Sequence, residues 1–194
     1  ALNPDISHGI IKLLTLQRLS ATSCMTTSPF WREHAKLLKP FLGNADIGLH
    51  FNLTCGQPLT RTHFYKLNKL LRLSLLTKLN TIDIYNELNA QLDEFEAALG
   101  RPVDFIDGHQ HIHQFAQIRN CLIKVMRQRN LRKQAYVRVS KQPIYFKNYS
   151  LLEFVKKLII RYTNSNKLIG LLEKNNITYN QTFSGIYELK HNKN

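Results

Sequence analysis

Hydrophobic positions along the chain fall into two spacings that take turns, one of three to four residues and one of two. After Asn3-Pro4-Asp5, a turn and helix-start signal with Asp5 or Ser7 as N-cap candidates, Ile6, Ile10, Leu13 and Leu14 share one helical face. Ala21 to Thr26 is short and β-leaning, and Pro29 closes it. A helix over Trp31 to Leu38 has to end before Pro40, because proline disfavours helical backbone in the residue before it. Asp46 to Leu53 reads as a strand with His50 near its C-terminal end. The clearest helix starts with Thr81 as N-cap, repeats apolar residues at Ile82, Tyr85, Leu88, Leu92, Phe95 and Leu99, and stops at Gly100, with Pro102 preventing continuation. Val103 to Asp107 is a short strand, Phe115, Ile118, Leu122 and Val125 mark a helix, and Tyr136 to Val139 makes another strand. Leu151 to Arg161 and Leu168 to Lys174 read as helices, and Thr182 to Leu189 as a strand. Strands alternating with helices predict an α/β fold on a parallel sheet, open or closed into a barrel.

The chain has 194 residues, 43% of them hydrophobic and 21% charged, which suits one globular domain and argues against a disordered segment. No apolar run approaches ~18 residues, so no membrane-spanning helix is expected, and no signal peptide is visible. Cys24, Cys55 and Cys121 are odd in number, far apart and without a CxxC pair. They suggest neither a disulfide framework nor a zinc ribbon, and a reducing compartment, the cytoplasm, is expected. The 27 basic against 13 acidic residues leave a net charge of +14. Such an excess attracts nucleic acid or anionic lipid. The basic residues are diffuse, however, and no nucleic-acid motif accompanies them. From Arg61 to Asn80 there is no acid, and Leu67, Leu70, Leu71, Leu75 and Leu79 give that stretch an apolar face. A helix packing on its own protein is expected there in preference to a membrane-surface helix.

Chemistry concentrates after the third predicted strand, where His109, His111 and His113 alternate. Imidazole is a common neutral metal ligand and a proton shuttle near neutral pH. Strand C-termini are where α/β folds present their ligands. His50 ends a second strand, and with Asp107 and His109 it makes a mononuclear metal site plausible: two imidazoles and a carboxylate leave positions open for water and substrate.

These residues carry a resemblance. Gly48-Leu49-His50-Phe51-Asn52-Leu53-Thr54 with Gly56-Gln57-Pro58-Leu59, and the segment from Arg101 to His113, resemble two motifs of the YdjC-like carbohydrate deacetylases. Val137-Arg138-Val139 is similar to the next strand of that family, and Phe183-Ser184-Gly185-Ile186-Tyr187 to a later glycine motif. The resemblance implies a distorted TIM-like (β/α) barrel that removes N-acetyl groups from sugars such as chitooligosaccharides with a divalent metal. Magnesium is the family's usual metal, and zinc suits two imidazoles at least as well. His50 and His109 match the metal ligands. Asp107, His111 and His113 are the candidate catalytic residues, with Asp107 also suited to orienting an imidazole, and Arg138 is the candidate substrate-binding residue. The expected partner is an N-acetylated sugar or oligosaccharide, not nucleic acid or membrane, with room for a homodimer.

Against the family pattern, residues 1–194 read as a single partial domain, a barrel truncated at both ends. The first strand with its acidic pair and the C-terminal part fall outside it. The expectation is therefore a deacetylase whose chain, as it stands, is inactive or weakly active. Two alternatives remain: a degenerate homologue that binds sugar without turnover, and a basic module that binds nucleic acid or an anionic surface.

Overall fold

A computed structural model describes residues 4–60, 63–140 and 165–183. The expected helix over 151–161 lies outside these residues, as does the strand over 182–189 beyond its first two positions.

The described elements are α1 (Pro4–Thr15), β1 (Ala21–Cys24), α2 (Trp31–Leu38), β2 (Asp46–Phe51), α3 (Leu67–Leu75), α4 (Thr81–Leu99), β3 (Phe105–Gly108), α5 (Ala116–Gln128), β4 (Tyr136–Val137) and α6 (Ser165–Lys174). The four strands are parallel and stand in the order β1-β2-β3-β4, so each crossover returns the chain to the neighbouring position. A bridge from Val137 to Tyr179 continues the sheet beyond β4. The α/β architecture on a parallel sheet is the one expected.

Period-two alternation sorts the strand residues between two faces. Ile47, Leu49, Phe51, Ile106 and Val137 join the buried core with Leu88, Leu92 and Phe95 of α4 and Ile118, Leu122 and Val125 of α5. Trp31 stacks on Phe95 with ring centroids 5.8 Å apart, tying α2 to α4. On the other face Phe105 stacks on Tyr136 at 5.1 Å. Its ring lies over Gly48, where an added Cβ would come within 2.7 Å of it, so β2 needs a glycine there.

Several local expectations change. Asn80, not Thr81, caps α4: its side-chain oxygen accepts from the N–H groups of Ile82 and Asp83 at 3.0 and 3.4 Å. Asp5 and Ser7 lie inside α1 rather than at its cap, and the Ser7 hydroxyl pairs with His34 Nδ1 at 2.9 Å. On α3 the buried face turns through Leu70 and Ser74, leaving Leu75 72% exposed, and Ile82 is likewise 68% exposed at the start of α4. Gly100 does end α4, with φ of 74° as a left-handed stop requires.

Candidate functional site

The register of the sheet builds the site. His50 stands opposite Asp107 between β2 and β3, and Ser23 lies at the same end of β1. Arg138 follows β4, its backbone N–H donating to Ile106 at 3.0 Å. Asp107 is the hub. Its Oδ1 accepts from His50 Nδ1 at 2.6 Å, and its Oδ2 accepts from the Ser23 hydroxyl at 3.2 Å and from the Arg138 guanidinium. Burial alone would raise the pKa of Asp107, but the hydrogen bond from His50 and the charges of His50, Arg138 and His113 together bring it below the usual carboxylate value. It is thus an anion that accepts and does not donate.

The bond to Asp107 settles the His50 tautomer. With Nδ1–H donated to the carboxylate, Nε2 carries the free lone pair. That nitrogen lies 3.3 Å from His109 Nδ1, and the two rings meet edge to face at 5.3 Å. Burial, with His50 adding to it and Asp107 opposing, pushes the His109 pKa down to about 4, so its imidazole is neutral near pH 7. Two imidazole nitrogens that each hold one ion at ~2.0–2.1 Å in tetrahedral geometry stand ~3.3–3.4 Å apart. The observed spacing fits a shared divalent ion. Among the described residues no group of three or more His, Cys, Asp or Glu side chains is placed to hold one, so the fit is that of two donors.

The three alternating histidines do not share one face. Gln110 and His111 both take left-handed backbone, with φ of 53° and 58°, and turn the segment after His109. His111 is half-buried, its Nδ1 is 2.7 Å from the Ser140 hydroxyl, and its ring meets Phe183 at 6.0 Å. Burial lowers its pKa below the ordinary imidazole value. His113 is wholly buried beneath Gly108, where an added Cβ would come within 2.6 Å of its Nδ1. Its Nε2–H donates to the Arg138 carbonyl at 3.0 Å, which ties the loop after β3 to the end of β4. Burial drives its pKa to about 3. Expected among the candidate catalytic residues, His113 has no exposed surface to offer a substrate, and its geometry is that of a strut.

Residues 1–194 match the family described as YdjC-like protein. The chain belongs to the YdjC-like family. Among relatives, this YdjC-like chain is 40% identical over 91 residues to a chitooligosaccharide deacetylase of Proteus mirabilis strain HI4320, covering 44% of this chain and 36% of the relative. It is 34% identical over 120 residues to a protein of the same name from Yersinia enterocolitica, covering 58% and 46%. A third, from Yersinia pestis strain Pestoides F, is 30% identical over 131 residues, covering 64% and 51%. The chain therefore spans between about a third and a half of these relatives' length. In fold it resembles a protein of Enterococcus faecalis V583 provisionally described as a cellobiose-phosphate cleavage protein, with a TM-score of 0.57, 19% identity, and 94% of this chain and 78% of the other covered.

Sequence reasoning overlooked Ser23, Ser140, Thr54 and Gln110, and the buried trio Asn52, Gln91 and Glu87. A signal for two of them was present. Glu87 and Gln91 stand on the face of α4 that also carries Ile84, Leu88, Leu92 and Phe95, and polar residues one turn apart on a buried face need partners.

Proposed function

We propose that this chain carries the sheet-edge portion of a metal-dependent carbohydrate deacetylase that acts on N-acetylated sugars such as chitooligosaccharides. The observation that carries the reading is the pair His50 Nε2 and His109 Nδ1, 3.3 Å apart with the first oriented by Asp107. The family membership and the names of the relatives point to the same substrate class.

In this reading His50 and His109 hold a divalent ion, magnesium or zinc, which when bound would polarise the acetyl carbonyl and acidify a water. Asp107 acts through His50 as a positioning residue, fixing the tautomer and raising the basicity of the imidazole. Arg138 and Ser23 keep Asp107 ionised and in place. Because both Asp107 oxygens are engaged, it is poorly placed to take a proton from water, and the general base lies elsewhere in the protein. His111, half-buried and bonded to Ser140, is the candidate for handing a proton to the leaving amine.

The test is acetate release from chitooligosaccharides by the full-length polypeptide, with magnesium or zinc and with EDTA. Release that EDTA abolishes, and that His50→Ala and His109→Ala each reduce by about 100-fold or more, is the expected outcome. Release indifferent to both substitutions would overturn the assignment, and sugar binding without any acetate would favour a non-catalytic sugar binder.

A further inference from the structure

Gln110 stands between His109 and His111, exposed, in a left-handed backbone conformation that side chains other than glycine rarely adopt. Its side chain is held by Thr54, on the loop after β2, whose hydroxyl donates to Gln110 Oε1 at 2.8 Å. With its oxygen engaged, the Gln110 amide keeps two N–H donors that bond no other group among the described residues.

Thr54 is itself held from behind by a wholly buried relay. Its backbone N–H donates to Asn52 Oδ1 at 3.0 Å. The backbone N–H of Asn52 donates to Gln91 Oε1 at 3.0 Å, and Gln91 Nε2 donates to the Asn52 carbonyl at 2.7 Å and to Glu87 Oε1 at 2.8 Å. Glu87 also accepts from the backbone N–H groups of Leu59 and Thr60 at 3.1 and 2.9 Å, clamping the far end of the same loop. Asn52, Gln91 and Glu87 are each 0% exposed, so this scaffold is fixed by α4 and not by solvent.

We propose that Gln110 is a substrate-contacting residue, its amide N–H donating to a hydroxyl or acetamido oxygen of the sugar, and that Thr54, Asn52, Gln91 and Glu87 are the positioning residues that aim it. A neutral amide donor suits the hydroxyl and acetamido oxygens of an uncharged polar ligand. The inference rests on the sugar reading above and adds the residue that recognises the sugar.

Its test is calorimetric titration of the zinc-loaded chain with diacetylchitobiose, alongside titration of the metal-free chain with zinc. Gln110→Ala and Gln110→Glu should each weaken sugar binding about threefold to tenfold, the worth of one hydrogen bond, with zinc affinity unchanged in Gln110→Ala. Gln110→Glu keeps the acceptor for Thr54 while it removes the donors and adds a negative charge, so zinc affinity is compared through Gln110→Ala. Thr54→Val should weaken sugar binding by a smaller factor, and Thr54→Ser should restore it. Equal sugar affinity in both Gln110 variants and the parent would overturn the proposal, as would a parent chain that does not bind the disaccharide. Failure of the metal reading shows separately, as zinc binding indifferent to His50→Ala.

Discussion

Asp107 and Glu87 are both buried carboxylates, 3% and 0% exposed, and their partners differ in kind. Asp107 is met by a guanidinium, an imidazole and a hydroxyl at the open end of the sheet. Glu87 is met by two backbone N–H groups, the Thr60 hydroxyl and an amide, all neutral donors, in the interior between α4 and the loop after β2. A carboxylate tied to groups that gain and lose protons or coordinate ions is coupled to chemistry. One tied to neutral donors only has a single job, which is to fix backbone. The pair therefore separates what binds from what holds, and substitutions at the two should fail in different measurements.

The largest effect belongs to Glu87. Glu87→Ala leaves four donors without their acceptor, and the free energy of unfolding measured in urea should fall by about 3 kcal/mol. A loss below about 1 kcal/mol would mean that water takes over the clamp and that the loop is not held from α4. Asp107→Asn should weaken zinc affinity by about 10–100-fold, because the carboxylate that orients His50 is gone, while Glu87→Gln leaves zinc affinity where it was. Equal zinc losses from the two substitutions would erase the contrast.

Acid should reach the two regions unequally. In the metal-free chain His109 and His113 are held neutral with pKa values of about 4 and about 3, against about 6.5 in the unfolded chain. The unfolded state then binds more protons than the folded one below about pH 6.5, so stability falls as pH drops from there towards 4 and, through His113, towards 3. Asp107, lowered in the folded state, stabilises above its unfolded value of about 3.9 and loses that contribution only as pH falls below it. Urea unfolding in EDTA across this range should show decline beginning near pH 6.5. A flat profile down to pH 4.5 would contradict the burial of both imidazoles. The smallest effect concerns the helix that carries Glu87: Asn80→Ala should cost about 1 kcal/mol and Thr81→Ala much less, by thermal or urea unfolding, since Asn80 supplies the cap.

The strands and their parallel order were legible because period-two runs ended by Gly, Pro or Asn leave little choice of element, and His50, Asp107 and His109 were legible because they close two such runs. The site's register follows from the sheet: once β2 and β3 are parallel neighbours, His50 faces Asp107. The fate of the histidine triplet was not legible. Alternation leaves two outcomes open, one shared face if the segment is extended and divergence if it loops, and the left-handed turn at Gln110 and His111 sends His113 inward. Nothing in residue type announces that turn, and the side chain that meets Gln110 there belongs to Thr54, 56 positions away. Glu87 carried a signal in its place beside Ile84, Leu88 and Gln91 on one face of α4, but its partners on the loop after β2 come into view only with the fold.

The most direct measurement follows the imidazole nitrogens by NMR while zinc is added to the metal-free chain. The account predicts that His50 Nε2 and His109 Nδ1 shift together and saturate at one ion per chain, with His113 unmoved. Saturation with those two nitrogens unshifted, or a shift of only one of them, would contradict it.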